Sequence, residues 1–263
     1  MQPGAISDDS ANPQATVRHD RIETLTCGMV SSENSVNAMS HASQKNPSEA
    51  YITARYERWR TMTVPFEYKR SKSERLAAIL LQTGGFPKRA LELGVGPGGI
   101  AGPLSHHGIR LVGMDLSIEA LLRAKDHCKN DDVSLLRGSG FSLPFASGSF
   151  PVVYASQVLH LFDHDGRLAL MREALRVLEP GGRFVFDMKN VVTHAFRYLG
   201  ATPDRRRRNF PPRAELRSLL GEAGFVNAET RPGLLPGIGL VDVPNIPLFK
   251  AFAHTVFFVA RRP

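Results

Sequence analysis

A glycine-rich segment that follows a short apolar run constrains this chain more than any other part of its sequence. Residues 90–93 lead into the pattern Gly94-x-Gly96-x-x-Gly99, and a second apolar run ends in Asp115, about 20 residues further on. Glycines at this spacing let the backbone approach a ligand closely, and a carboxylate at that distance accepts hydrogen bonds from ribose hydroxyls. The pattern predicts a parallel α/β fold that holds an adenosine-containing cofactor.

Short apolar runs alternate with helical periodicity along most of the chain. The strands are predicted at residues 90–93, 109–114, 133–136, 151–155, 183–188, 225–230 and 254–260. The helices are predicted at residues 73–82, 100–106, 117–128, 165–178 and 212–223. The sequence Glu-Pro-Gly-Gly at 179–182 predicts a turn before the fifth strand. Strands that alternate with helices favour a parallel sheet with right-handed crossovers.

The beginning of the chain differs in composition from the rest. Residues 1–47 are rich in Ser, Asn, Asp, Ala and Gln. Such a segment buries too little apolar surface to offset its ordering entropy, so we expect it to be disordered. Residues 48–263 are expected to form one domain, with N-terminal helices at 48–86, a cofactor-binding core at 87–190 and a substrate-side segment at 191–263.

The composition is that of an ordinary globular protein, with 42% apolar and 22% charged residues. No apolar run reaches the ~18 residues of a membrane span, and we expect no secretory signal. The two cysteines, Cys27 and Cys128, give little support for a disulfide or a metal site, so we expect a reducing cytoplasm.

The net charge of +8 is concentrated towards the C-terminus. Residues 197–263 contain eleven basic and five acidic residues, whereas residues 1–48 contain three basic and five acidic ones. Much of the excess is the run Arg205–Arg208, which is either a solvated loop or a site for phosphates, acidic lipid surfaces or an anionic substrate. Only Phe210 accompanies these arginines, and this lack of aromatic residues disfavours nucleic-acid binding.

Five motifs, taken in order, make the chain resemble a class I S-adenosylmethionine-dependent methyltransferase of the small-molecule branch. The motifs are residues 92–98, 113–117, 138–145, 152–160 and 176–184. Glu92, two residues before the first glycine, is typical of methyltransferases and is not required by the dinucleotide pattern. The resemblance implies a Rossmann-like, doubly wound, seven-stranded sheet that is mostly parallel with its last strand antiparallel, and an N-terminal helical cap.

The resemblance also implies S-adenosylmethionine as the cofactor and a set of residues that bind it. These residues are Glu92, Gly94, Gly96, Gly98, Asp115, Leu116, Ser139, Gly140, Phe141 and Ser156. Asp115 is expected to bind the ribose hydroxyls. Glu92 either ties the glycine loop to the methionyl end or is a buried structural hydrogen-bonding group. Leu116 either packs against the adenine or belongs to the core.

The third motif departs from the family's pattern at Ser139, where related enzymes commonly carry an acidic residue that holds the adenine amino group. A serine hydroxyl accepts that hydrogen bond more weakly, or backbone groups of Gly140 and Phe141 take its place. The resemblance therefore implies the same adenine site with a weaker side-chain contact.

Two candidate catalytic residues, Gln157 and His160, follow the fourth strand, where the methionine end of the cofactor would meet the acceptor. His160 is either a base for a hydroxyl acceptor, because imidazole takes up a proton near neutrality, or a structural residue. We expect no metal site at residues 163–165, which enter a helix with Asp165 as its cap.

These motifs predict an S-adenosylmethionine-dependent methyltransferase that transfers a methyl group in line to a small-molecule acceptor at O, N or C. The apolar segment 231–248 is expected to wall the acceptor pocket. One alternative is a nucleotide-dependent oxidoreductase with the same glycine spacing. Another is a non-catalytic methyltransferase-fold binding protein, or an RNA-associated methyltransferase, that uses Arg205–Arg208. The sequence leaves the oligomeric state open.

Overall fold

The computed structural model describes residues 66–128, 132–190, 211–233 and 245–263. The strands are β1 (Arg89–Leu93), β2 (Arg110–Asp115), β3 (Val133–Arg137), β4 (Phe150–Ser156), β5 (Leu178–Lys189), β6 (Val226–Pro232) and β7 (Thr255–Arg261). The helices are α1 (Phe66–Gly84), α2 (Ala101–Ser105), α3 (Ile118–His127), α4 (His164–Val177), α5 (Arg213–Glu222) and α6 (Pro247–Phe252), with a 3-10 turn at Leu159–Leu161.

All seven described strands form one sheet in the order β3-β2-β1-β4-β5-β7-β6. The strands β1 to β5 pair in parallel, whereas β7 runs antiparallel to both β5 and β6. The predicted mostly parallel sheet with an antiparallel last strand is therefore confirmed. Because β6 points the same way as β5, the carboxyl ends of β1 to β6 meet at one edge. Ligands bind at this edge in open α/β sheets, next to the point where the strand order reverses.

Successive residues of the strands pack on opposite faces of the sheet. On one face, Val185 and Phe257 belong to a cluster with apolar residues of α1, α2 and α3. On the other face, Phe186 and Phe258 belong to a cluster with α4 and α5. Phe186 and Phe258 are cross-strand partners whose ring centroids lie 4.8 Å apart. Burial of both faces confirms the doubly wound arrangement and explains the continuous apolar runs of these strands.

Arg183 of β5 holds the C-terminal end of α1 against the sheet. Its guanidinium donates hydrogen bonds to the Leu80 carbonyl at 2.6 Å, the Thr83 hydroxyl at 2.9 Å and the Gly85 carbonyl at 2.7 Å. The last carbonyls of a helix have no donor within the helix, so buried ends need such partners. As predicted, Gly84 ends the helix, and Gly85 follows with a positive φ of +78°.

The fifth strand begins earlier than the sequence predicts. Leu178 already pairs with Phe150, and Arg183 pairs with Val152, so more residues of β5 than of β4 lie between the two pairs. Residues 179–182 therefore form a bulge within β5, with Gly181 at a φ of +73°. The proline and glycines interrupt the pairing locally and do not end the strand.

One local prediction in the second half of the chain is wrong. The cap of α4 is Asp163, whose carboxylate accepts a hydrogen bond from the Gly166 amide at 3.0 Å, whereas Asp165 lies in the first turn. Asp163 has the extended backbone that a capping residue needs. The structure also adds the short helix α6, with Pro247 at its first position, to the predicted helices.

Several predictions concern residues outside the described ranges. These are the tail at 1–47, the helical residues 48–65, the run Arg205–Arg208 and residues 234–244 of the expected apolar wall. Of the N-terminal helical cap, the structure describes α1, which packs on one face of the sheet. Within the described ranges, no helix combines the length and apolar character required to cross a bilayer.

Candidate functional site

The glycine loop after β1 is held in place by the end of β2. The Gly94 amide donates to the Met114 carbonyl at 2.8 Å. The two oxygens of the Asp115 carboxylate accept from the Gly96 amide at 2.8 Å and the Ser117 amide at 3.0 Å. Burial raises the pKa of Asp115, and these backbone donors oppose the rise. Asp115 thus organises both the loop and the start of α3 at the carboxyl edge of the sheet.

A side chain would have a different effect at each of the three glycines of this loop, Gly94, Gly96 and Gly98. Gly94 has a φ of +72°, and a Cβ there would lie 2.4 Å from Cγ2 of Val158. A Cβ on Gly98 would lie 2.6 Å from the sulfur of Cys128, so this glycine lets α3 pack closely. Gly96 has a φ of +53°, and a Cβ there would meet nothing within 4 Å. The backbone beside Gly96 is therefore the part of the loop left open to a ligand.

An apolar cleft lies beside the glycine loop, between the carboxyl ends of β1 and β2, the loop after β3 and the segment after β4. Its lining residues are Leu93, Gly94, Met114, Asp115, Leu116, Gly138, Gly140, Val158, Leu161, Phe162 and Leu170. Four of the predicted cofactor-binding residues are in this lining: Gly94, Asp115, Leu116 and Gly140. Val158, Leu161 and Phe162 of the lining were not predicted as binding residues, although Val158 lies within the fourth motif.

The loop after β3 folds over the cleft. The hydroxyl of Ser139 accepts a hydrogen bond from the Phe141 amide at 3.2 Å, so it already serves its own loop. The rings of Phe141 and Phe162 meet edge to face with centroids 5.0 Å apart. This geometry places an aromatic wall beside Gly140 and leaves Ser139 one further acceptor position for a ligand.

Two charged residues of α4 anchor the rest of that loop. Arg176 donates to the carbonyls of Leu143 and Phe145 at 2.9 and 2.7 Å. Glu173 accepts from the Leu143 amide at 2.9 Å and forms a salt bridge with Arg176 at 2.9 Å. The pair thus binds the backbone of the third motif, and the hydrogen bond from Arg176 lowers the pKa of Glu173.

Glu92 lies beneath the glycine loop in a buried polar cluster. Its carboxylate accepts a hydrogen bond from the Tyr154 hydroxyl at 2.8 Å, and both residues are almost completely buried. Burial, reinforced by the charge of Asp115, raises the pKa of Glu92 to about 8, although Tyr154 and Lys72 oppose the rise. Burial and the nearby Glu92 also raise the pKa of the Cys128 thiol to about 11. Glu92 is therefore largely protonated at neutral pH in this arrangement.

A buried ion pair positions Gln157. The ammonium of Lys72 in α1 lies 2.6 Å from the carboxylate of Asp187 in β5. Asp187 also accepts from the backbone amide and the side-chain amide of Gln157, at 2.9 and 2.6 Å. Burial by itself raises the pKa of Asp187, but Lys72 and the Gln157 donors outweigh it and hold the pKa below its usual range. These bonds keep Gln157 at a φ of +58°, a conformation that is rare for a residue with a side chain.

Two further candidate residues, Ser156 and His160, lie close to Gln157 in the sequence. Ser156 is the last residue of β4 and pairs with Asp187 in register. His160 is partly buried in the 3-10 turn. Arg167 of α4 holds this turn by donating to the Leu159 carbonyl at 3.0 Å. Ser156, Gln157 and His160 could be predicted from the sequence, but Arg167 could not, because a lone arginine within a helical pattern gives no functional signal.

Replacing Glu92 with Gln should change how stability depends on pH. A carboxyl group whose pKa is higher in the fold than in the unfolded chain adds stability below its unfolded pKa, and this is lost as the pH rises through its folded value. Wild-type stability should therefore fall between pH 4.5 and about 8. Between pH 5 and pH 8, the free energy of unfolding of wild type should fall by about 3 kcal/mol relative to that of Glu92→Gln. Each pH unit between the two pKa values contributes about 1.4 kcal/mol.

Urea denaturation at both pH values measures this difference. The control is Glu74→Gln in α1, where the carboxylate is exposed to solvent and the pH dependence should match wild type. Parallel pH profiles for wild type and Glu92→Gln would show that Glu92 is ionised in the fold and would contradict the prediction.

Removing one member of the buried ion pair should cost more than removing both charges. Lys72→Met leaves the Asp187 carboxylate buried without its cation and should destabilise the protein by about 3–5 kcal/mol. In Lys72→Met/Asp187→Asn, the amide oxygen still accepts from Gln157 and no charge remains. The double variant should therefore be more stable than Lys72→Met alone in urea denaturation. Arg70→Met, which breaks the exposed pair with Glu74, should cost less than about 1 kcal/mol.

Comparison with known proteins shows the same kind of domain. The methyltransferase domain family matches residues 91–186. Malonyl-[acyl-carrier protein] O-methyltransferase from Legionella pneumophila is 35% identical over 103 residues, which are 38% of this chain and 36% of the relative. Demethylmenaquinone methyltransferase from Corynebacterium kroppenstedtii is 35% identical over 96 residues, which are 36% of this chain and 39% of the relative. The matched part thus spans well under half the length of these curated relatives.

Solved structures resemble the chain over a larger part of its length. A possible histamine N-methyltransferase from Thermotoga maritima has a TM-score of 0.60 at 21% identity and covers 82% of this chain and 97% of its own. Magnesium protoporphyrin IX methyltransferase from Synechocystis, solved with bound SAH, has a TM-score of 0.62 at 17% identity and covers 82% and 98%. At these identities the likeness shows the fold. Residues 91–186 match the methyltransferase domain family, and the fold shared with these solved methyltransferases extends over most of the chain.

Proposed function

We propose that the protein binds S-adenosylmethionine at the carboxyl edge of β1 and β2 and transfers its methyl group to a small-molecule acceptor. The observation that carries this proposal is the tie between Asp115 and the Gly96 amide, beside an apolar cleft. A Cβ on Gly96 would enter open space, so the backbone of the loop is accessible to a ligand there. Accessible backbone beside a carboxylate suits a ribose, and the cleft suits an adenine.

The chemistry asks the chain mainly for positioning. When bound, the cofactor supplies a sulfonium whose methyl group is already electrophilic. Asp115 binds the ribose, and Leu116, Gly140 and Phe141 surround the adenine. Glu92 faces the methionyl end, where a cationic ammonium favours the ionised carboxylate. Holding donor and acceptor in line converts the reaction into an effectively unimolecular step.

The acceptor side lies after β4. Gln157, held by Asp187, presents its backbone and side chain at the point where the cofactor would meet the acceptor. The relatives are named for methylation of malonyl-[acyl-carrier protein] and demethylmenaquinone, and a solved neighbour is named for magnesium protoporphyrin IX. These acceptors differ widely in chemistry, so we propose a small-molecule acceptor without assigning the atom that receives the methyl group.

Asp115→Asn should lower the affinity for S-adenosylmethionine at least tenfold. The amide provides one acceptor oxygen where Asp115 provides two charged ones, so the loop and the ribose compete for it. Isothermal titration calorimetry with S-adenosylmethionine and S-adenosylhomocysteine measures the effect. Asp126→Asn, on the exposed surface of α3, is the matched control and should bind as wild type. Wild-type protein that binds neither compound at high micromolar concentration would overturn the proposed function.

His160→Ala should retain S-adenosylmethionine binding within about twofold, because the residue lies outside the cofactor cleft. If His160 removes a proton from a hydroxyl acceptor, turnover should fall by about 10²–10⁴-fold, as for the loss of a general base. Incubating the protein with methyl-labelled cofactor and cell extract, followed by identification of the labelled product, provides the assay. Full turnover by His160→Ala would exclude proton abstraction by this residue.

A further inference from the structure

Four basic side chains from three separate elements come together on the far side of β5 from the cofactor cleft. They are Arg213 and Arg217 of α5, Arg231 of β6 and Lys250 of α6. Arg213 donates to the Lys250 carbonyl at 2.8 Å, which joins α5 to α6. Partial burial, and then the positive charges of Arg217, Arg231 and Arg213, lower the pKa of Lys250, while Glu229 opposes this effect. Each of the three arginines therefore interacts electrostatically with Lys250, and we call these four residues the basic cluster.

Among the described residues, few negative charges neutralise the basic cluster. Glu229 pairs with Arg231 through Nη2 alone, and Nε of Arg231 is buried with no partner among the described residues. Within the same ranges, Arg213 and Arg217 donate to neutral oxygens, and the Lys250 ammonium forms no salt bridge, although the charge of Glu229 influences it. Other surface arginines differ, since Arg172 of α4 faces Glu222 at 3.7 Å.

By sequence, the chain segments that adjoin the basic cluster add further positive charge on balance. The basic cluster itself has a net charge of 4 − 1 = +3 when Glu229 is included. Residues 191–210 contain five arginines and one aspartate, a net charge of 5 − 1 = +4, and residues 234–244 contain one aspartate, a net charge of −1. These two segments together add +3 by sequence. Like charges are brought together at a cost, which an anionic ligand would offset.

The basic cluster lies at the same edge of the sheet as Gln157. Arg231 is near the carboxyl end of β6, which points the same way as β4 and β5. Asn190, directly after β5, connects the two regions: its side chain donates to the Lys250 carbonyl at 3.1 Å and accepts from Arg213 at 3.4 Å. With strands about 4.8 Å apart, β6 lies roughly 14 Å from β4. A single metabolite can span that distance.

We propose that the basic cluster binds an anionic group, a carboxylate or a phosphate, of the methyl acceptor and so directs the acceptor's other end towards Gln157. Arginine provides paired donors that match both oxyanions, and lysine provides a compact charge beside them. The proposal rests on the proposed function, which it makes more specific: the acceptor is an acidic small molecule.

The test measures anion binding directly, without knowledge of the acceptor. Inorganic pyrophosphate and citrate are titrated separately into the full-length protein by calorimetry, each at about 50 and 200 mM salt. Tighter binding of pyrophosphate indicates a phosphate site, and tighter binding of citrate indicates a carboxylate site. Arg217→Gln/Lys250→Gln should weaken the preferred probe at least tenfold. The matched control, Arg110→Gln/Lys125→Gln, removes the same charges from exposed positions on β2 and α3 and should stay within twofold of wild type.

Each further outcome decides the proposal. Equal weakening by both double variants would show a diffuse positive surface and overturn it, as would binding of neither probe by wild type. Binding of a single-stranded RNA more tightly than either probe, with a steep salt dependence, would replace it with nucleic-acid recognition. S-adenosylmethionine binding is measured in every variant and should be unchanged. Wild-type protein that binds the cofactor but neither probe therefore overturns only the proposed anion site, whereas wild-type protein without cofactor binding overturns the proposed function.

Discussion

The buried ion pair between Lys72 and Asp187 is the contact on which the loop after β4 depends. Bringing two charges out of water costs several kcal/mol for each ion, and close geometry with further hydrogen bonds is needed to offset that cost. Here Asp187 also accepts two hydrogen bonds from Gln157 and keeps it in a left-handed backbone conformation. The helix α1 and the loop after β4 are therefore coupled, because displacing α1 would remove the cation that keeps Asp187 ionised. Arg183 strengthens this coupling by binding the other end of α1 to the same strand.

The charges of the domain are separated along the carboxyl edge of the sheet. Glu92 and Asp115 lie at or beneath the glycine loop, and both have raised pKa values because they are buried. The basic cluster lies on the other side of β5 and β7. For the proposed function, the Asp115 carboxylate on one side and the basic cluster on the other suit a cationic methyl donor and an anionic acceptor, with Gln157 between them. The two proposed ligands would then have opposite electrostatic preferences, which favour a single relative orientation.

Most of the fold could be predicted from the sequence, because the apolar runs that form the strands are buried on both faces and bounded by turn residues. The bulge at residues 179–182 was predicted as a turn, since proline and glycine interrupt pairing in both cases. Asp163 and Asp165 are chemically equivalent, so only the backbone geometry decides which one caps α4. In the candidate site, the glycines and Asp115 could be recognised from their spacing. Lys72, Asp187 and Arg176 could not, because their partners lie about 30 to more than 100 residues away in sequence.

The sequence alone determined the order of strands and helices, the place of the glycine loop and the carboxylate that follows β2, because each depends on local periodicity, backbone freedom or short spacing. Only the tertiary structure decided which polar groups share a buried environment. It brings Lys72 to Asp187, places Glu92 under the loop with a raised pKa, and gathers four cations from three elements beside one acidic residue. The physical reason is that burial and the distance between charges determine the energies of ionisable groups, and both quantities exist only once distant parts of the chain are packed together.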